Sequence, residues 1–190
     1  MPTPVKISFC TGNPHKVAEM QAAFAQKLPG YVIEKQAIPL QELQAESLEE
    51  VAIFKLQSIS QHLKPPFFIE DAGFFVDDIL QGFPGVYSHY VMDTLGCQGI
   101  LKLLGDSANR NAHFEAIIAL RDNSNTIRTF KGINPGTVAL EARGTSGFGF
   151  DPIFISADTP GKTFAEIGME AKNRISHRSR ALDKLIEFLG

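Results

Sequence analysis

Cysteine is scarce in this 190-residue chain. Cys10 and Cys97 are the only two, and both sit among apolar neighbours. They could pair, but two isolated thiols suit a reducing compartment, here the cytoplasm, better than a disulfide framework. Long apolar runs are also missing. None approaches the roughly 18 residues that a bilayer span needs, and the N-terminus carries no basic-then-apolar export signal. Excess positive charge is missing too: 18 Lys and Arg against 21 Asp and Glu leave a net charge of −3. That balance argues against a dedicated nucleic-acid surface. No Cys/His spacing suits zinc, and no Gly-Lys-Ser/Thr signature marks a P-loop. Nothing suggests a Ser-His-Asp triad or a reactive cysteine.

What is present is enough for a core. Hydrophobic residues make up 44% and charged residues 21% of the chain, which excludes disorder and low complexity. The length points to one domain, 1–190, with two lobes as its only elaboration, burying roughly 70% of its extended-state surface. Val5 to Cys10 alternates and reads as a strand. Asn13 and Pro14 then open a helix with Val17, Met20, Phe24 and Leu28 on one face, ended by Pro29-Gly30. A weaker strand covers Tyr31 to Ile38. Ser47 and Glu50 form a capping-box pattern for a helix from Leu48 to Leu63, stopped by Pro65-Pro66. Phe67-Phe68-Ile69 reads as a short buried strand that delivers Glu70 and Asp71 at its end. Gly82-Phe83-Pro84-Gly85 is a turn-rich loop, and a short helix follows from Gly99 to Leu104. Strands are expected over Ala112 to Arg121, Thr126 to Gly132 and Gly136 to Ala142, the first two joined by a polar turn, Asp122 to Asn125. An amphipathic helix from Arg178 to Leu189 closes the chain. The fold class is mixed α/β, and the hairpin argues against an all-parallel sheet.

Four stretches could carry chemistry. Thr11-Gly12-Asn13-Pro14-His15-Lys16 places a glycine and a helix N-terminus where a strand ends, which suits a phosphate, with Lys16 adding a compact charge. On its own it reads as an ordinary strand-to-helix turn. Glu70-Asp71 sets two carboxylates side by side, and a divalent cation would relieve their repulsion. The rival is a solvated strand end, and the apolar run before them favours the cation. Glu42, in the polar stretch Gln41 to Gln44, looks like surface when taken alone. Gly147-Phe148-Gly149-Phe150-Asp151-Pro152 offers aromatic faces for a flat ring, although a core phenylalanine pair at a bend is the stronger reading of that segment alone. Lys172 to Arg180 is a basic run whose bland meaning is a solvated face. Arg178 in it offers a planar fork for carbonyl or phosphate oxygens.

Taken together and in this order, these stretches resemble the inosine triphosphate pyrophosphatase family, the non-standard purine nucleoside triphosphate pyrophosphatases. The likeness runs through Thr11-Gly12-Asn13 with Lys16, Phe68 to Asp77, Gly82 to Ser88, Gly147 to Phe154 and Lys172 to Arg178. It implies hydrolysis of ITP, dITP or XTP to the monophosphate and pyrophosphate, dependence on Mg2+, and a homodimer. It also implies an elongated mixed sheet flanked by helices, with two α/β lobes around a central cleft. By position, Asp71 matches the catalytic acid and metal ligand, and Glu42 the upstream metal-binding glutamate. Thr11, Gly12, Asn13, Lys16 and Lys55 match triphosphate contacts. Phe148, Gly149, Phe150, Asp151, Lys172, His177 and Arg178 match the nucleotide and base pocket. The family usually has serine where this chain has Ala72, which loses a hydroxyl contact worth roughly 1.5–3 kcal/mol if charge-assisted. Phe150 stands where tyrosine or tryptophan is commoner.

On that resemblance Asp71, with Glu42 and Glu70 as further carboxylates, would hold magnesium and serve as general base for water attacking the α-phosphorus. Lys16, Lys55 and the Thr11 to Asn13 backbone would offset charge on the departing pyrophosphate. Donors from His177 or Arg178 would satisfy the 6-oxo group of hypoxanthine or xanthine and meet a donor on adenine. The rival readings are a Maf-type pyrophosphatase acting on other nucleotides, a non-catalytic nucleotide-binding sensor and, weakest, a nucleic-acid-binding module.

Overall fold

A computed structural model describes residues 4–41 and 43–190. Glu42 therefore lies outside the described residues. The chain runs β1 (Val5–Cys10), α1 (Pro14–Lys27), β2 (Tyr31–Gln36), α2 (Leu48–Ser58), β3 (Phe67–Val76) and β4 (Pro84–Gly85). It continues with α3 (Ser88–Thr94), α4 (Gly96–Leu104), β5 (Asn111–Arg121) and β6 (Ile127–Val138). A 3-10 turn (Asp151–Ile153), β7 (Phe154–Ser156), α5 (Phe164–Ile175) and α6 (His177–Leu189) complete it. The strands form one mixed sheet in the order β2-β1-β3-β5-β6-β7, with β4 paired to β3. No helix among the described residues is long and apolar enough to cross a membrane.

Two compact units divide the chain. Among the described residues the first holds 4–41, 43–71, 117–131 and 181–190; the second holds 72–116 and 132–180. In the first unit β1 pairs in parallel with β2, Val5 opposite Tyr31, and with β3, Ser8 opposite Phe67. Parallel neighbours need crossovers, and α1 and α2 supply them. Because β2 and β3 flank β1 on opposite sides, right-handed crossovers set α1 and α2 on opposite faces of the sheet. Phe9 and Phe68 stack at 4.6 Å between ring centroids, and Phe24 of α1 stacks on Phe68 at 6.4 Å. All three rings are essentially sealed from solvent, and each such burial stabilises the fold by roughly 1.5–3 kcal/mol. In the second unit Phe74, Phe114, Phe150, Phe154 and Phe164 pack with Val91, Ile100 and Leu104 into a separate core.

Several boundaries differ from the sequence reading. Helix α2 ends at Ser58, not Leu63. Ser58 Oγ donates to Lys55 O at 2.7 Å and Ser60 Oγ to Leu56 O at 2.9 Å, so hydroxyls take carbonyls that a further helical turn would use. Strand β3 does not end at Glu70-Asp71. It continues to Val76 because Phe74 and Phe75 pair with Gly85 and Pro84 of β4. The two strands expected over Thr126 to Ala142 are one, β6, which passes through Pro135 and pairs with β7 from Gly136 onward. A Cβ on Gly136 would lie 2.1 Å from Ile155 O, so only glycine fits that close approach. Helices α3 and α5 are additions to the reading, and Lys172 lies in α5.

Candidate functional site

In the first unit, chemistry gathers where β1 meets α1 and in the middle of β3. Asn13 caps α1: its side chain accepts from His15 N at 2.9 Å and Lys16 N at 3.4 Å. Thr11 Oγ1 accepts from Asn13 N at 3.1 Å. Donors of the first helical turn are thus already engaged. A Cβ on Gly12 would meet no atom within 4 Å, so the backbone there stands open to a ligand.

Glu70 and Asp71 are neighbours on a strand, and the pleat sends neighbouring side chains to opposite faces. Each therefore meets the lysine of a different helix. Lys16 Nζ of α1 lies 2.6 Å from Glu70 Oε2, and the Glu70 side chain is fully enclosed. Lys55 Nζ of α2 lies 3.2 Å from Asp71 Oδ2, with the Asp71 side chain 16% exposed. The mutual repulsion foreseen for adjacent carboxylates is removed by the strand itself. Glu70 is committed to Lys16, whereas the Asp71 side chain stays partly exposed. Among the described residues no three His, Cys, Asp or Glu side chains converge as a ready metal cage.

In the second unit the loop before the 3-10 turn folds over a buried ion pair. Lys172 Nζ donates to Asp151 Oδ2 at 2.6 Å, both side chains being 2% exposed. Phe148 N donates to the same oxygen at 2.8 Å. Burial pushes the Asp151 carboxyl above its ordinary value, against the pull of Lys172, the Phe148 amide and Arg178. Gly147 has φ +80°, and a Cβ on it would lie 2.1 Å from Asp151 Oδ2. The glycine is needed both for the left-handed turn and for the carboxylate it makes room for. Lys172 Nζ also stands 4.3 Å above the centre of the Phe148 ring, and the Arg178 guanidinium stands 5.7 Å from it. His177 stacks on Phe114 at 4.7 Å. His177 and Arg178 are both buried.

The two phenylalanines of this loop part company. Phe148 is half-buried beside the cations, while Phe150 belongs to the core, 4.9 Å from Phe74 and stacked on it. Gly149 is half-buried, and Ala72 follows Asp71 with a half-buried methyl group. Neither thiol is poised to react. Burial raises Cys10 to about 12, and burial together with the Asp151 charge raises Cys97 to about 11. Further buried polar residues brace the second unit. Ser88 Oγ accepts from Phe74 N at 2.7 Å and donates to Gly85 O at 2.6 Å. Asn134 is wholly buried beside Ser156. Ser88 belongs to the Gly82 to Ser88 stretch of the resemblance, whereas Asn134 carries no local sequence signal, because Ser156 lies 22 residues along the chain.

A sequence model of the Ham1 family matches residues 7–188. A relative from Thermococcus kodakarensis, named dITP/XTP pyrophosphatase, is 45% identical over 185 residues, 97% of this chain and 97% of its own. One of the same name from Methanopyrus kandleri is 41% identical over 184 residues, covering 97% of this chain and 96% of its own. The solved structure of a HAM1 protein from Coxiella burnetii matches with a TM-score of 0.83 at 30% identity, over 97% of this chain and 98% of that one. The Staphylococcus aureus Ham1 protein matches with a TM-score of 0.82 at 29% identity, over 97% of each chain.

Proposed function

Because the chain belongs to the Ham1 family, we propose that it hydrolyses the non-standard purine triphosphates ITP, dITP and XTP to the monophosphate and pyrophosphate. The observation that carries this reading is the placing of Asp71 and Lys55 at 3.2 Å and of Lys16 and Glu70 at 2.6 Å. A carboxylate that can take a proton stands beside an ammonium that can hold phosphate oxygens, and a second lysine is anchored on the other face of the same strand.

The donor set suits a hard divalent cation. Magnesium takes oxygen ligands, typically one or two carboxylates, and leaves the rest to water and phosphate. Asp71, whose side chain is partly exposed, fits; Glu70, enclosed and ion-paired, serves Lys16 instead. Asp71 and Glu42 would hold magnesium, which would supply charge neutralisation across the triphosphate. Asp71 accepts a proton from the attacking water, whose oxygen bonds to the α-phosphorus. The bond from that phosphorus to the bridging oxygen breaks, and Lys16 and Lys55 meet the charge on the leaving pyrophosphate. Thr11, Gly12 and Asn13 line the approach of the phosphates.

The Asp151–Lys172 pair fixes the loop that carries Phe148 and Gly149. Phe148 supplies the stacking face, while Phe150 supports it from the core. His177 and Arg178 donate to the 6-oxo group, and adenine, with an amino group there, sets donor against donor. The homodimer belongs to the same proposal and rests on the resemblance alone, while the cytoplasmic location rests on the two isolated thiols, which suit a reducing compartment.

The test is a panel of ITP, XTP, GTP and ATP with magnesium. The expected order puts ITP and XTP above ATP in kcat/KM. Asp71→Asn is expected to keep its circular dichroism and lose turnover by at least about 100-fold, the usual scale for a general base. Equal rates on ATP and ITP, or a fully active Asp71→Asn, refute the reading.

A further inference from the structure

The joint between α5 and α6 is a single residue, Ser176, and it is held by side chains that have no part in the reading above. Ser176 serves both helices: its N–H donates to Lys172 O at 2.9 Å, and its Oγ accepts from Ser179 N at 3.1 Å. The angle between the helices therefore hangs on one pair of dihedrals, φ −63° and ψ 159°. Ile175, just before the joint, has one of the carbonyls that a helix end leaves without an intrahelical donor.

Two donors from different elements converge on that carbonyl. Asn134 Nδ2 of β6 reaches it at 2.7 Å and Arg180 Nε of α6 at 3.1 Å. Asn134 is 0% exposed, and the rest of its amide is also used. It donates to Asp158 Oδ2 at 3.1 Å and accepts from Ser156 Oγ at 2.8 Å. Arg180 donates further to Ile133 O at 2.8 Å and to Asp158 Oδ2. A planar guanidinium can hold three acceptors in one fixed geometry. One donor would satisfy a helix end; here a buried amide, a carboxylate and an arginine are bound into a network around it.

The first two residues beyond the joint are His177 and Arg178, 3% and 2% exposed. Any rotation at Ser176 displaces both. We infer that Asn134, Asp158 and Arg180 form a positioning clamp that fixes the Ile175 carbonyl and so sets where His177 and Arg178 meet the purine base. This rests on the assignment of those two residues to base recognition. The clamp residues touch no substrate; they act through the joint.

The main variant is Arg180→Met, because Arg180 is partly exposed and its loss leaves no buried charge without a partner. Asp158→Asn keeps an acceptor for both Asn134 and Arg180 and is the conservative variant. Lys184→Met is the control, since it also loses one bond from α6 to a backbone carbonyl, that of Lys131. Arg180→Met is expected to raise KM for ITP and to narrow the ITP-to-ATP ratio of kcat/KM, each by about tenfold, with a smaller change in kcat. The His177 ring resonance, assigned with His177→Gln, is expected to shift in Arg180→Met. Asp158→Asn and Lys184→Met are expected to keep the wild-type ratio and resonance. A folded Arg180→Met with a lower Tm, an unchanged ratio and an unmoved resonance overturns the clamp. If the wild type uses ATP as readily as ITP, the substrate assignment falls, and the resonance alone decides. A shift in Arg180→Met but not in Lys184→Met upholds the clamp, and no shift in either overturns it.

Discussion

At the scale of single residues, Lys172 shows how a buried charge can hold a loop in place. Its ammonium has no water to fall back on, being 2% exposed, and Asp151 is enclosed to the same degree. Removing one partner of such a pair strands the other in a poor solvent. Lys172→Met is expected to lose about 3–5 kcal/mol of unfolding free energy at neutral pH, measured by urea titration. Replacing both partners, Asp151→Asn with Lys172→Met, is expected to recover part of that loss. The sign with pH follows from the raised Asp151 carboxyl. A group whose folded value lies above its unfolded one gives its full stability below the ordinary value of 3.8 and loses it as pH rises through the folded value. Lys172→Met removes the cation that opposes that rise. Its deficit is expected to shrink as the solution is acidified, and a deficit that grows on acidification contradicts this account.

Individual residue roles were only partly legible in the sequence. The apolar run before them marked Glu70 and Asp71 as a pair, and the resemblance alone picked Asp71 out of it. That Glu70 would turn away from it followed from strand pleating, but only once β3 was known to continue past both. Phe148 and Phe150 look equivalent in sequence, and the structure separates them by which side of a glycine-rich turn each occupies.

At the scale of elements, local signals worked where they were complete within a few residues. The Ser47–Glu50 capping box and the Asn13 cap both form as read. A second capping box, Thr163 with Glu166, opens α5 and was equally available in the sequence, but Gly168 inside that helix, at φ +78°, interrupts the periodicity that would have extended it. The turn between β5 and β6 also forms as read, and it depends on one carboxylate. Asp122 Oδ1 accepts from Ser124 N and Thr126 N, each at 2.9 Å, and Oδ2 meets Arg128 Nε at 2.8 Å. The Ser124 hydroxyl and Arg128 hold Asp122 down to about 2, from an ordinary 3.8. A depressed carboxylate gives stability that is present above its unfolded value and is lost as pH falls through its folded one. The difference in stability between wild type and Asp122→Asn is therefore expected to be constant above about pH 4 and to fade toward about pH 2. A difference that persists unchanged at the acid end contradicts the assignment.

At the scale of the whole molecule, the order of motifs along the chain pointed to a family, and the family match over residues 7–188 agrees with it. That the sheet is not all parallel was legible from the polar hairpin turn, whereas the parallel pairing of β1 with β2 and β3 was not. The network of Asn134, Ser156, Asp158 and Arg180 was not, because its bonds span tens of residues and no local pattern marks them. On the proposed function, water attacks the α-phosphorus of a 6-oxopurine triphosphate. Turnover of ITP in 18O-enriched water, followed by 31P NMR, tests it most directly. The account predicts labelled IMP and unlabelled pyrophosphate; label in the pyrophosphate, or IDP and orthophosphate as products, would contradict it.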